Sequence, residues 1–119
     1  MARILVVDDA KIMRILLKRT FEELGHNVVD MASDGFEACS LYQKYKPDFV
    51  VMDMEMPHVN GLDALIKIKK LDPESNIVII SSFSHNEYVE SAHKFGASGY
   101  VLKPITIAKA KEISQIAGF

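Results

Sequence analysis

The 119-residue sequence lacks the features of several protein classes. It has no Trp and a single Cys, Cys39, so no disulfide can form within the chain. One Cys and four scattered His residues also give no ligand spacing of the kind that binds zinc. Lys and Arg number 14 against 16 Asp and Glu, and the net charge is -2, so the basic excess typical of nucleic-acid binders is missing. We therefore expect no direct nucleic-acid contact.

Long hydrophobic runs are missing as well. The longest apolar stretches, such as residues 49–52 and 77–80, are far shorter than the ~20 residues that span a bilayer. The first residues show no charged-then-apolar signal segment. These features predict no membrane insertion and, together with the single Cys, a cytoplasmic location.

The composition that remains is that of one globular domain. Hydrophobic residues make up 49% of the chain and charged residues 25%, and there are only six Gly and four Pro. These fractions exclude disordered and collagen-like chains. No repeat or linker interrupts the sequence, so residues 1–119 are predicted to form one domain.

Two hydrophobic patterns alternate along the chain. Short β-branched runs, typical of parallel strands covered on both faces, occur at residues 4–7, 28–29, 49–52, 77–80 and 100–102. Between and after them lie five stretches with helical spacing. Their expected core-facing residues include Ile12, Ile15, Leu16, Phe21, Phe36, Cys39, Tyr42, Leu62, Leu65, Val89, Ala92 and Phe95. The alternation predicts an α/β three-layer sandwich with five parallel strands and five helices.

Chemically active side chains follow four of the five predicted strands. They are Asp8 and Asp9, then Asp53, then Ser81 and Ser82, and finally Lys103 and Pro104. In an open parallel sheet, ligands bind outside the carboxyl ends of the strands, so we expect these groups to meet at one edge.

The charges at this edge predict a metal site. Two carboxylates ~5 Å apart repel each other by about 3 kcal/mol at an effective dielectric near 20. Asp8, Asp9 and Asp53 outnumber Lys103, and a divalent cation would resolve the imbalance. Hard oxygen ligands favour Mg²⁺, with Mn²⁺ as the alternative. A metal-bound carboxylate beside a lysine and a hydroxyl suits phosphoryl transfer to a carboxylate nucleophile.

Four motifs in order resemble the receiver domain of two-component response regulators, over essentially the whole chain. They are Val6-Val7-Asp8-Asp9, the stretch Met52-Asp53-Met54-Glu55-Met56-Pro57 with Asn60-Gly61, Ser81-Ser82, and the run from Gly96 to Lys103-Pro104. The chain looks most like the single-domain chemotaxis type. The resemblance implies a flavodoxin-like sheet with strand order 2-1-3-4-5.

The resemblance also implies a role for each residue. Asp53 would accept a phosphoryl group from a phosphohistidine on a sensor histidine kinase or phosphotransfer protein. Asp9 would hold Mg²⁺ directly, Asp8 would lie close by or act through water, and the backbone carbonyl of Glu55 would be a further ligand. Lys103, preceding a cis Pro104, would bind a phosphoryl oxygen.

The implied output is a conformational switch rather than an enzyme that turns over a substrate. The chain would assist only its own phosphorylation and dephosphorylation. Ser81 would move toward the phosphoryl group, and Tyr100 would turn inward. The face formed by helix four, strand five and helix five would then bind a downstream protein target.

Several of these residues also have simpler, purely structural interpretations. Asp8 or Asp9 could cap the first helix, and Tyr100 could serve only packing. The Glu55 side chain is expected to face solvent, which leaves only its carbonyl in the site. His26, His58, His85 and His93 are predicted to be surface residues.

Four other functions compete with this interpretation. A flavodoxin-type electron carrier needs a phosphate loop after strand one, where the Asp8-Asp9 pair would repel a bare phosphate. A phosphatase with an aspartyl nucleophile needs Asp-x-Asp there, and the acids are adjacent. A receiver-like adaptor that works without phosphorylation, and the N-terminal receiver of a longer DNA-binding or enzymatic regulator, both stay open.

Overall fold

The structure, a computed structural model, describes all 119 residues as five strands alternating with five helices. The strands are β1 (Arg3–Val7), β2 (Asn27–Ala32), β3 (Phe49–Asp53), β4 (Ile77–Ser81) and β5 (Gly99–Leu102). The helices are α1 (Lys11–Glu23), α2 (Gly35–Tyr45), α3 (Gly61–Leu71), α4 (Asn86–Lys94) and α5 (Ile107–Ile116). None of these helices has the length and apolar character that crossing a membrane requires.

The sheet confirms the predicted fold and strand order. All neighbouring strands are parallel, and their order is β2-β1-β3-β4-β5. Every residue of β3 and β4 is buried, because helices cover both faces of the sheet. Alternate side chains of each strand therefore enter two separate cores. Leu5 and Val50 lie in the core that α2, α3 and α4 cover, whereas Ile4 and Val51 lie in the core under α1 and α5.

Polar caps fix where three helices begin. The side chain of Asp34 accepts a hydrogen bond from the Glu37 amide at 2.8 Å, and that of Asn60 accepts one from the Asp63 amide at 2.9 Å. Thr106 does the same for α5. Each cap satisfies an amide that the first turn of a helix leaves without a backbone partner. The caps before α2 and α3 coincide with the Asp34-Gly35 and Asn60-Gly61 dipeptides of the sequence.

The predicted core face of α1 was correct at Phe21 and wrong at Ile12 and Leu16. Phe21 is buried, but Ile12 is 72% exposed and Leu16 is 50% exposed, and the unpredicted Leu17 is buried instead. Met13, Leu17 and Phe21 form the stripe that meets the sheet. The predicted stripe through Ile12 and Leu16 is displaced from this one by a single residue along the helix. Both stripes fit helical spacing, so spacing alone cannot choose between them. In α2 the same error placed Phe36, which is 61% exposed, in the core.

His26 also differs from its prediction as a surface residue. Its ring is partly buried, Nδ1 accepts a hydrogen bond from the Ala2 amide at 3.0 Å, and Nε2 pairs with Ser114 Oγ at 3.1 Å. Burial, and then the nearby N-terminal amine, lower the pKa of this histidine. His26 thus joins the start of β1 to α5 at the edge of the sheet opposite the predicted site.

Candidate functional site

Three carboxylates meet where β1 and β3 end. One carboxylate oxygen from each of Asp8, Asp9 and Asp53 lies within 4.8 Å of the other two. Asp8 is 1% exposed and Asp53 is 2% exposed, whereas Asp9 is open to solvent. The parallel pairing of β1 with β3 brings the ends of the two strands together, so the predicted convergence of these acids is present.

Lys103 is the cation that faces these acids. Its Nζ lies 3.0 Å from Asp8 Oδ2 and 3.2 Å from Asp53 Oδ1. These two contacts are the only ion pairs in the fold, and the Lys103–Pro104 peptide bond is cis, as the resemblance implied. One ammonium group therefore offsets two buried carboxylates and leaves the cluster with an excess of negative charge.

The environment of Asp53 opposes its ionisation. Burial, and then the charge of Asp8, raise the pKa of Asp53 from 3.8 to about 7, although Lys103 acts in the other direction. Burial of the Lys103 ammonium disfavours its charge, but the hydrogen bond to Asp8 and the charges of Asp53 and Asp8 outweigh this and raise its pKa. A further positive charge beside Asp53 would favour its carboxylate form.

The donor set fits a hard divalent cation. Asp8 is engaged within the chain, because Oδ1 accepts from the Ala10 amide at 3.0 Å and Oδ2 accepts from Lys103. The Asp9 carboxylate makes no hydrogen bond within the chain, and neither does the Glu55 carbonyl. Available carboxylate and carbonyl oxygens beside solvent are the ligands that Mg²⁺ accepts while it keeps several waters.

Neither acid caps α1, so the simpler interpretation of the Asp8-Asp9 pair was wrong. The residue at the cap position is Ala10, and it makes no side-chain capping bond. The Asp8 side chain instead accepts from the Ala10 amide inside the turn that leads into the helix.

Ser81 ends β4 as a fully buried hydroxyl with two partners. It donates to Glu55 Oε2 at 2.7 Å and accepts from the Phe83 amide at 3.0 Å. The Ser82 amide donates to Glu55 Oε1 at 3.1 Å. The expectation that the Glu55 side chain faces solvent was therefore wrong: its carboxylate turns toward two donors at the end of β4.

Tyr100 both packs and bonds. Its ring is partly buried against the core under α3 and α4, and its hydroxyl donates to the Phe83 carbonyl at 2.6 Å. Phe83 is 48% exposed and lies near His85 and Tyr88, with ring centroids 6.0 and 6.4 Å away. Tyr100 is thus connected to Ser81 through the backbone of Phe83, a link that the sequence did not indicate.

A cleft of about 440 Å³ opens beside the acids. Asp9 and Glu55 supply its acidic wall, and its other lining residues are Met54, Met56, Pro57, Asn60, Leu62, Phe83 and Tyr88. Met54 and Met56 are almost fully buried while they line this cleft. A small phosphorylated group therefore has a route from solvent to the Asp9 side of the cluster.

Gly61 lets α3 begin directly against the strand that carries Asp53. A Cβ at this position would overlap the Asp53 carbonyl oxygen and lie 2.8 Å from the Met54 Cα, both of them backbone atoms. We expect Gly61→Ala to lower the free energy of unfolding by about 1 to 2 kcal/mol, because relieving the overlap must shift backbone. Urea unfolding would measure it, with Gly99→Ala, where a Cβ meets only side-chain atoms of the half-exposed Ile116, as the comparison. Equal losses would contradict this explanation.

Comparisons with known proteins agree with this geometry. The family model described as response regulator receiver domain matches residues 4–115. The chain is 39% identical over 110 residues to the chemotaxis protein CheY of Thermotoga maritima, and the match covers 92% of each chain. A LuxR-family two-component response regulator from Aurantimonas sp. SI85-9A1 aligns with a TM-score of 0.94 and 36% identity, over 99% of this chain and 86% of that one. A CheX–CheY complex with BeF3 and Mg²⁺ from Borrelia burgdorferi contains a chain that aligns with a TM-score of 0.94 and 28% identity, over 98% and 89%.

Proposed function

Because this chain belongs to the response regulator receiver domain family of two-component signalling, we propose that it is a switch operated by phosphorylation of Asp53. The donor is a phosphohistidine on a sensor histidine kinase or phosphotransfer protein. The unit that acts is the single domain of residues 1–119. It is a phosphoacceptor that assists its own phosphorylation and dephosphorylation.

The observation that carries this proposal is the position of Asp53. Its carboxylate is buried, pairs with Lys103, and has an oxygen within 4.8 Å of an Asp9 oxygen, and Asp9 lines a cleft open to solvent. In the transfer step, one Asp53 oxygen attacks phosphorus and the bond from phosphorus to the donor imidazole nitrogen breaks. The electron pair stays on that nitrogen, and an acyl phosphate forms on Asp53.

The neighbouring residues stabilise the charges in this step. Lys103 aligns the Asp53 carboxylate through the 3.2 Å ion pair and then binds an oxygen of the transferred group. Asp9, Asp53 and the Glu55 carbonyl would hold Mg²⁺, with Mn²⁺ as the alternative, and Asp8 would contribute directly or through water. When bound, Mg²⁺ would supply positive charge that offsets both the acids and the phosphoryl oxygens.

The output is a change in one face of the domain. The Ser81 hydroxyl donates to the phosphoryl group, and the segment at residues 82–85 follows it. Tyr100, whose hydroxyl bonds this segment at Phe83, changes position with it. These movements bias an existing equilibrium toward the form whose α4–β5–α5 face binds a downstream protein. The CheX–CheY complex among the similar structures supports a protein as the target.

Intact-mass measurement after treatment with phosphoramidate and Mg²⁺ tests the proposal. We expect one added phosphoryl group that is labile in alkali, absent in Asp53→Asn and absent when a chelator replaces Mg²⁺. Asp63→Asn, which changes an exposed carboxylate on α3, should be labelled like the wild type. An unchanged wild-type mass would favour the phosphorylation-independent adaptor, and equal labelling of Asp53→Asn would exclude Asp53 as the acceptor.

A further inference from the structure

The Glu55 carboxylate holds the end of β4 with both of its oxygens. Oε2 accepts the Ser81 hydroxyl at 2.7 Å, and Oε1 accepts the Ser82 amide at 3.1 Å. Hydrogen bonds to an ionised carboxylate are roughly twice as strong as those between neutral groups. No Lys, Arg or His forms an ion pair with Glu55, since Lys103 makes the only two ion pairs of the fold. The carboxylate is therefore held by these two donors.

This contact occupies the hydroxyl that the proposed switch needs. A serine hydroxyl has one proton to donate, and that of Ser81 goes to Glu55. The Ser81 oxygen also accepts the Phe83 amide at 3.0 Å. Ser81 cannot donate to a phosphoryl group on Asp53 until its bond to Glu55 breaks.

Phosphorylation of Asp53 would itself weaken this contact. The Glu55 amide donates to Asp53 Oδ1 at 3.3 Å, so the two residues share one tight turn. An acyl phosphate on Asp53 carries about two negative charges where the free carboxyl carries at most one, and its oxygens accept hydrogen bonds strongly. It would repel the carboxylate and compete for the same hydroxyl.

The effect of release would extend past Ser81. The Phe83 amide bonds Ser81, and the Phe83 carbonyl accepts the Tyr100 hydroxyl at 2.6 Å. One carboxylate thus restrains Ser81 and Ser82 directly and Tyr100 through the backbone of Phe83. Together with Glu55, these residues form one connected set of five linked by hydrogen bonds between the acceptor turn and β5.

We propose that the Glu55 side chain is a latch that holds Ser81, Ser82 and the segment after β4 in the unphosphorylated arrangement. This inference rests on the proposed function for its consequence, because release of the latch makes Ser81 available to the phosphoryl group. Glu55 is a positioning residue that acts through Ser81. Its side chain sets how strongly the resting form is favoured, while its carbonyl remains the proposed metal ligand.

Amide hydrogen exchange in the resting protein tests the latch without any phosphodonor. We expect the Ser82 and Phe83 amides to exchange at least about tenfold faster in Glu55→Ala than in the wild type, because a charge-assisted restraint is lost. Glu112→Gln, which removes an exposed carboxylate on α5, should leave both rates unchanged. Unchanged exchange in Glu55→Ala would overturn the latch even if Asp53 is phosphorylated normally.

Binding of beryllofluoride, a phosphoryl mimic, at saturating Mg²⁺ tests the consequence. We expect the nearly isosteric Glu55→Gln to bind it about tenfold more tightly than the wild type, since the neutral amide is a weaker competitor for Ser81. In the Ser81→Ala background the same substitution should give a clearly smaller gain, because only charge repulsion remains. An equal gain in both backgrounds would overturn an action through Ser81. Failure of the wild type to bind beryllofluoride would instead count against the proposed function, and the exchange experiment would still decide on the latch.

Discussion

Lys103→Ala is expected to lower the free energy of unfolding by about 3 kcal/mol when no divalent cation is present. The Lys103 ammonium lies 3.0 Å from Asp8 and 3.2 Å from Asp53, and these two carboxylates are almost fully buried. Removing the ammonium leaves the Asp8 carboxylate without its ion pair and forces Asp53 either to take up a proton or to stay charged beside Asp8, which costs more than the ion pair itself contributes. Urea unfolding in the presence of a chelator would measure the loss.

The Mg²⁺ affinity of the variants distinguishes this role of Lys103 from that of a metal ligand. We expect Lys103→Ala to retain its affinity for Mg²⁺, because an ammonium group is not a ligand, whereas Asp9→Ala should lose it. The variant should still bind the ion while phosphorylation no longer changes hydrogen exchange in residues 82–88. Lys111→Ala, an exposed lysine of α5, is the matched control and should behave like the wild type. A loss of Mg²⁺ affinity as large as that of Asp9→Ala would contradict the assignment.

Asp53→Asn is expected to stabilise the fold at pH 8 by up to about 4 kcal/mol and to change little near pH 4. The pKa of Asp53 is raised from 3.8 to about 7, so between about pH 4 and 7 the folded chain keeps a proton there that the unfolded chain has lost. The wild type therefore loses stability as the pH rises from 4 to 7, and the full loss is present above 7. Asparagine is neutral at every pH, so the variant avoids this loss of stability.

Urea unfolding at several pH values would measure this difference. The gain in the Asp53→Asn variant should grow between pH 4 and 7 and then level off, provided that a chelator removes divalent cations. Glu74→Gln, an exposed carboxylate between α3 and β4, should show no such trend. If Asp53→Asn were instead less stable than the wild type at pH 8, this explanation would be contradicted. That result would mean that the ion pair with Lys103 stabilises the Asp53 carboxylate more than burial and the charge of Asp8 destabilise it.

The convergence of the acids and the lysine could be predicted from sequence for a physical reason. Short buried runs mark parallel strands, and right-handed crossovers place their carboxyl ends on the same edge. The residues that directly follow these runs therefore lie near one another, regardless of the conformation of the loops. Asp8, Asp53 and Lys103 follow from this logic, and the structure brings them within ion-pair distance.

The direction of individual side chains could not be predicted in the same way. In α1, Ile12 with Leu16 and Met13 with Leu17 both fit helical spacing, and only packing on the sheet selects the second pair. Glu55 lies in the irregular segment between β3 and α3, where no periodicity defines a face. Its contact with Ser81 depends on the backbone of that segment. The sequence did contain one indication of this contact. Glu55 is an acid two residues after the end of β3, and Ser81 and Ser82 lie at the end of the adjacent β4.

Calorimetric titration of Mg²⁺ tests most directly whether Asp8, Asp9 and Asp53 form a site for a hard divalent cation, on which the proposed phosphorylation depends. We expect the wild-type chain to take up a single ion at roughly millimolar concentrations or below, and Asp9→Ala to take up none in that range. Asp63→Asn should titrate like the wild type. A wild-type chain that shows no uptake at millimolar Mg²⁺, or an Asp9→Ala variant that binds equally well, would contradict a metal site at these acids.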